Sequence, residues 1–205
     1  MSQTATGKTS RRTPRSYAVG LVVVTAAVIG LFVYRSALTP SFGEVGDQSG
    51  QGGTTTEDGG SLPDRVTVFD DEYPGVANLD PELLQALREA ATDAVDDGVE
   101  FYINSGWRSP AYQNQLLREA ISKYGSAEEA SRWVATPDKS PHVSGHAVDI
   151  GHADAKAWLS DHGAKYGLCQ IYRNEPWHYE LRPQATGDGC PPMYADPTHD
   201  PRMQQ

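Results

Sequence analysis

The sequence predicts an α+β fold, a small antiparallel sheet with flanking helices forming a single domain, preceded by one transmembrane helix. Three observations carry that expectation. Helix caps and apolar periodicity recur at 80–97 and 109–121. Short strand-like runs interleave with those helices at 99–104, 147–150, 168–172 and 177–181. An unbroken apolar stretch at 17–34 follows a terminus that is basic and free of acid.

Residues 1–16 carry Lys8, Arg11, Arg12 and Arg15, and the chain then runs through 18 uncharged residues, Tyr17 to Tyr34, before Arg35. At about 1.5 Å per residue this is near the lower limit for crossing about 30 Å of hydrocarbon. No polar face marks it as a buried helix of a soluble domain. The alternative is a cleaved signal peptide, but such apolar regions are usually shorter and Ser36-Ala37-Leu38 is a poor cleavage site. The expectation is a cytoplasmic basic N-terminus at 1–16 and a retained anchor at 17–35, with everything beyond it outside the cell membrane. Residues 36–62 are rich in Gly, Ser, Thr and acid, with little to bury, and read as a flexible linker. The extracytoplasmic domain then occupies 63–205.

Within that domain, Asp80-Pro81 places a cap before a proline at the first helical position, and Leu83, Leu84, Leu87, Ala90, Ala91 and Ala94 give the helix an apolar face. Val99 to Asn104 alternates as a half-buried strand does, and Ser109-Pro110 opens a second helix containing Tyr112, Leu116, Leu117 and Ile121. Gly125 stops that helix, and Ser126 caps a short third one holding Ala130, Trp133 and Val134. Ala147 to Ile150 reads as a strand, 154–163 as a helix with Trp158 and Leu159 inward, and 168–172 and 177–181 as two more strands. The Pro, Gly and Asp content beyond Pro183 predicts an irregular tail. No internal repeat is visible.

The formal charge of -10 excludes a nucleic-acid footprint, because no basic stripe offsets it after residue 35. Cys169 and Cys190 are the only cysteines, and an external location favours a disulfide between them over two buried thiols.

The chemistry concentrates at His142, Asp149, Glu175 and His178. Imidazole and carboxylate are ligands that Zn2+ takes at about 2.0–2.2 Å, and three of them with an open fourth position make a catalytic rather than a structural site. Gly145 permits a tight turn between His142 and Asp149, and a strand through Val148 and Ile150 would hold the aspartate rigidly. Glu175 lies close in sequence to His178 without needing to be a ligand, where a general base belongs. Pro176 restricts the backbone of Glu175 to extended conformations. A competing set, His142, His146 and His152, is weakened by Gly145 and Pro141 within its helix and by Val143 where the helical zinc-protease motif carries glutamate. His162 and His199 lie in polar surroundings and are assigned no role.

The run Ser140-x-His142-x-x-Gly145-x-Ala147-x-Asp149, with Glu175-x-Trp177-His178, resembles the signature of the zinc D-Ala-D-Ala carboxypeptidase family of VanY-type enzymes. The segment Ser105-Gly106-Trp107-Arg108-Ser109, with Tyr112-Gln113, is similar to that family's upstream substrate-binding segment, and the likeness spans about 80–182. The resemblance implies Zn2+ on His142, Asp149 and His178, with Glu175 as base. It places Arg108 near the reacting carbonyl or the terminal carboxylate, with Gln113 and Ser140 as further substrate contacts. A guanidinium suits that task, since it clasps a carboxylate with two parallel hydrogen bonds or meets a developing oxyanion. The implied activity is removal of the terminal D-Ala from peptidoglycan stem peptides by a monomeric catalytic domain. An L,D-carboxypeptidase acting on tetrapeptide stems would use the same metal and base. A non-catalytic wall-binding module would be expected to lack a ligand or the base, and none is missing.

Overall fold

The structure is a computed structural model that describes residues 58–204. The expected cytoplasmic terminus and anchor, and nearly all of the linker, lie outside these residues. Among the described residues no helix is long and apolar enough to cross a membrane.

Among the described residues the first helices are a single turn, α1 (Pro74–Ala77), and then α2 (Pro81–Asp96). Asp80 caps α2, its Oδ1 accepting from the backbone N–H groups of Glu82 and Leu83 at 3.0 and 3.1 Å. Leu83, Ala86, Leu87, Ala90, Ala91 and Ala94 are buried along one face, so the periodicity read from the sequence is the packed face. The strand β1 (Ile103–Ser105) precedes α3 (Pro110–Tyr124), whose cap is the Ser109 hydroxyl and whose stop is Gly125 in the left-handed conformation. One turn, α4 (Ala127–Ala130), leads to β2 (Ala147–Ile150). Then come α5 (Ala153–His162), a 3-10 turn, and the strands β3 (Leu168–Gln170) and β4 (His178–Leu181). A last turn, α6 (Ala185–Asp188), precedes a C-terminal tail.

The four strands form one antiparallel sheet in the order β1-β2-β4-β3. Side chains alternate between the two faces of a strand, and here the alternation separates core from chemistry. Val148, Ile150, Tyr179 and Leu168 join the buried side of α2 and Ala155, Trp158 and Leu159 of α5 in the main core. Asp149, His178, Glu180 and Cys169 therefore face the other way. A smaller cluster there, Cys169, Ile171, Tyr172 and Ala185 with Met203 against it, is built with the tail.

Several elements depart from the sequence reading. The strand expected over 99–104 pairs in the sheet only from Ile103, because Tyr102 bridges to Thr67 and the Ile103 N–H bonds to the Val66 carbonyl at 2.7 Å. The third helix ends at Ala130. Trp133 and Val134 follow as a turn on the Ala130 carbonyl, and the Trp133 ring stacks on Tyr124 with centroids 5.8 Å apart. The strand expected to reach 172 stops at Gln170, since Tyr172 pairs with Tyr194 of the tail. That tail is ordered by α6, two 3-10 turns and a disulfide between Cys169 and Cys190.

Candidate metal centre

Asp149 and His178 are register partners on β2 and β4, so the sheet itself sets one side chain beside the other. His142 arrives from the loop before β2. That loop turns back through Gly145 at φ +77°, where an added Cβ would lie 2.7 Å from the Asn78 carbonyl, and the Gly145 carbonyl accepts from the Asp80 N–H at 2.9 Å. A glycine is required both by the left-handed backbone and by the close approach.

Three lone pairs converge here. Nδ1 of His142 faces the Gly106 carbonyl at 2.8 Å, an atom that only accepts, so that nitrogen donates and Nε2 presents its lone pair inward. His178 is arranged in the opposite sense: Nε2 faces the Glu180 carboxylate at 3.2 Å and leaves Nδ1 inward. Those two inward nitrogens lie 3.3 Å apart, and each is 3.4 Å from Asp149 Oδ1. Asp149 Oδ1 is buried without a hydrogen-bond partner among the described residues. Three acceptors aimed at one point repel one another unless a cation sits between them. All three ligand atoms lie within 4.8 Å of one another, and the nitrogen-and-oxygen donor set fits Zn2+.

The electrostatics agree with this assignment. Burial, with Arg108 next in importance, holds the His142 ring below its ordinary imidazole value. Burial alone would raise Asp149, but the two imidazoles and Arg108 outweigh it and hold the carboxyl well below the usual range. Burial would likewise lower His178, yet the Asp149 and Glu180 carboxylates push it up to about 9. The Asp149 and Glu180 carboxylates thus favour positive charge at His178, while burial and Arg108 disfavour it at His142.

Glu175 stands beside this centre, with Oε2 3.6 Å from His178 Nδ1, and burial pushes its carboxyl up to about 7. The turn that carries it is closed by the His178 N–H on the Glu175 carbonyl at 3.1 Å. Arg108 donates from Nη2 to Asp149 Oδ2 at 2.7 Å, from Nε to the Ser105 hydroxyl at 2.7 Å and from Nη1 to Gln113 Oε1 at 3.2 Å. These bonds use three of its five N–H donors. Gln113 is 1 % exposed and donates in turn to the Ala135 carbonyl at 2.9 Å, tying α3 to the loop ahead of Ser140.

His142, Asp149, Glu175, His178, Arg108, Gln113 and Ser140 all line one cavity of about 590 Å³, so the seven residues singled out in the sequence are brought together. Trp177 is part of its wall, as are Leu116, Tyr124 and Trp133. The rejected histidines lie elsewhere. His146 faces Ser144 and Asp80, and His152 packs its ring on Tyr102. Sequence reasoning missed Glu180, and it named Ser105 only as part of the segment around Arg108 without assigning its hydroxyl a role. Glu180 had a signal, because two residues along a strand returns to the same face and puts it under His178.

An α+β scaffold presents an inward His, Asp, His cluster able to hold a metal ion, with a buried glutamate beside it, and its nitrogen-and-oxygen donor set is the kind found in mononuclear zinc sites. Comparison with known proteins makes this specific. Residues 76–184 match the family described as VanY, D-alanyl-D-alanine carboxypeptidase, and the chain belongs to that family. A D-alanyl-D-alanine carboxypeptidase of Enterococcus faecalis is 28% identical over 143 residues, covering 58% of this chain and 53% of the relative, so the chain spans about half the relative's length. Among solved structures, a variant of the vancomycin-resistance D,D-pentapeptidase VanY from the VanB-type cassette, in complex with Zn(II), is 26% identical. Its TM-score is 0.47, with 50% of this chain and 72% of that one covered. The LdcB LD-carboxypeptidase is 27% identical at a TM-score of 0.46, with 52% of this chain and 61% of that one covered.

Proposed function

We propose that this protein is a zinc-dependent D-alanyl-D-alanine carboxypeptidase that removes the terminal D-Ala from peptidoglycan stem peptides. The observation that carries the reading is the convergence of His142 Nε2, His178 Nδ1 and Asp149 Oδ1 on one point with Glu175 alongside. Family membership supports the same activity.

His142, Asp149 and His178 would hold the ion. Zinc, when bound, supplies Lewis acidity toward the scissile carbonyl and the water that attacks it. Glu175 accepts the proton of the attacking water and returns it to the amine of the departing D-Ala, so one carboxylate serves as base and then as acid. Burial suits it to both tasks, since it strengthens the carboxylate's hold on a proton. Arg108 has two N–H donors left after its bonds to Ser105, Gln113 and Asp149, and these face the terminal carboxylate or the developing charge on the carbonyl oxygen. Gln113 and Ser140 line the same cavity and complete the substrate contacts.

The proposal extends to location. Residues 17–35 anchor the protein in the cell membrane with the N-terminus in the cytoplasm, and residues 36–62 tether a monomeric catalytic domain outside. The end of that stretch packs on the domain, where Gly59 and Gly60 are buried and the Gly59 carbonyl accepts from the Ser109 N–H at 2.9 Å, so the tether before it is about 23 residues and reaches on the order of 25 Å as a flexible coil.

The testing experiment incubates the protein with pentapeptide stems ending in D-Ala-D-Ala and with tetrapeptide stems, and weighs the products. Loss of one alanine from the pentapeptide alone is expected. Loss from the tetrapeptide alone would convert the reading to an L,D-carboxypeptidase, and loss from neither would refute it.

A further inference from the structure

We propose that Arg202, in the last turn of the chain, is a positioning residue for the metal centre. It holds Glu180 against Nε2 of His178 and so keeps Nδ1 of that ring turned toward His142 and Asp149. The inference rests on reading those three residues as metal ligands.

Glu180 sits two residues beyond His178 on the same face of β4 and is 1 % exposed. A carboxylate that deep must be paired, and it is paired from two sides. Arg182 Nη2 reaches Oε2 at 2.8 Å. Arg202 makes the two-pronged contact: Nη1 to Oε2 at 2.7 Å and Nη2 to Oε1 at 3.1 Å. Oε1 is also the atom that faces His178 Nε2 at 3.2 Å. The fork of Arg202 thus fixes the plane of the carboxylate and the direction in which Oε1 meets the ring, which the single prong of Arg182 does not.

Arg202 is itself held. Its Nε lies 3.1 and 3.0 Å from the two oxygens of Asp200, a fully buried carboxylate that also accepts from the Tyr172 hydroxyl at 2.9 Å. The tail that delivers it is fastened where it matters. Cys169, the disulfide partner of Cys190, is the register partner of Glu180 on β3, and Tyr194 pairs with Tyr172 between the two fastenings. Cys190, Tyr194, Asp200 and Arg202 lie beyond residue 184, where the family match ends. The tail therefore reaches back to the metal centre from outside the matched residues.

The test measures zinc affinity of the full chain by competition with a chromophoric chelator, together with the visible spectrum after cobalt substitution, which reports ligand geometry. Outer partners of metal-bound histidines typically contribute about 10–100-fold in affinity. Arg202→Met is expected to weaken zinc binding within that range and to shift the cobalt bands. Arg202→Lys keeps the buried charge without the fork and is expected to recover part of the affinity, so the comparison survives if the Met variant does not fold. Arg88→Met, which removes an exposed ion pair with Asp71, should change neither readout. Zinc affinity within twofold of wild type and an unchanged cobalt spectrum in the folded Arg202 variants would overturn the inference, even if they melted earlier. A wild-type chain that takes up no zinc would instead refute the metal-site reading on which it rests.

Discussion

Asp149 and His178 stand directly opposite one another on adjacent strands, with Asp149 Oδ1 3.4 Å from His178 Nδ1. A sheet register, rather than a loop, therefore fixes the spacing of two of the three proposed ligands. Asp149 Oδ2 is committed to Arg108, which leaves Oδ1 for the ion. Asp149→Asn should keep the Arg108 bond and the fold but lose the charge. Its zinc affinity is expected to fall by at least about 100-fold, the upper end of what outer-partner changes cost. Elemental analysis of the dialysed protein reads this out.

Glu175 touches the site without completing the ligand set. Glu175→Gln preserves shape and removes the base, so the variant should retain one zinc and lose turnover by about 10²–10⁴-fold, the usual contribution of a positioned general base. Steady-state assay of D-Ala release alongside metal content separates the two effects.

Arg108 is spanned between Ser105, Gln113 and Asp149. A lysine has no planar fork to satisfy three partners and still present donors to a substrate. Arg108→Lys is expected to lower kcat/KM by roughly 100-fold, about 2.7 kcal/mol, the lower end of what losing one oxyanion donor costs. A substrate whose terminal carboxylate is converted to an amide should be discriminated against less strongly, relative to the free acid, by this variant than by the wild type.

Asp196 ties the tail to the turn that leads into the cavity-lining Trp133 by accepting from Arg132 at 3.1 Å, while its other oxygen accepts from the Thr198 N–H at 3.0 Å. Burial would raise this carboxyl, but bonds from Thr198, His199 and Arg132 outweigh it and lower it to about 2. A folded-state value below the unfolded one stabilises the protein above about pH 4, and the contribution is lost as pH falls through about 2. Because Arg132 and His199 are half-exposed or more, screening limits the effect to about 1–2 kcal/mol. Urea denaturation should show Asp196→Asn less stable than wild type at pH 7 and equal to it near pH 2.

The Cys169–Cys190 bridge has a sequence separation of 21 residues. Loop closure of that size is worth about 3 kcal/mol through the unfolded chain. Cys190→Ser is expected to lower unfolding stability by that order, and reduction of the wild type should reproduce the loss.

The site was largely legible in the sequence because its parts follow local rules. A strand alternates faces, which links Val148 and Ile150 in the core to Asp149 outside it, and capping residues at Asp80 and Ser109 announce the helices where they begin. What stayed hidden depends on contacts between distant segments. The pairing of Thr67 with Tyr102 and of Tyr172 with Tyr194 shortens strands that alternation alone would extend. The tail looked irregular because proline and glycine break regular elements, yet Asp196, Asp200 and Arg202 order it through buried carboxylates. Arg108 read as a substrate clasp, and nothing local revealed that three of its donors would be spent inside the protein.

The most direct test of the central claim is anomalous diffraction at the zinc absorption edge from crystals of the protein grown with zinc. One strong peak about 2.0–2.2 Å from His142 Nε2, Asp149 Oδ1 and His178 Nδ1 together is expected. Zinc located elsewhere, or bound by only one of those side chains, would contradict the account.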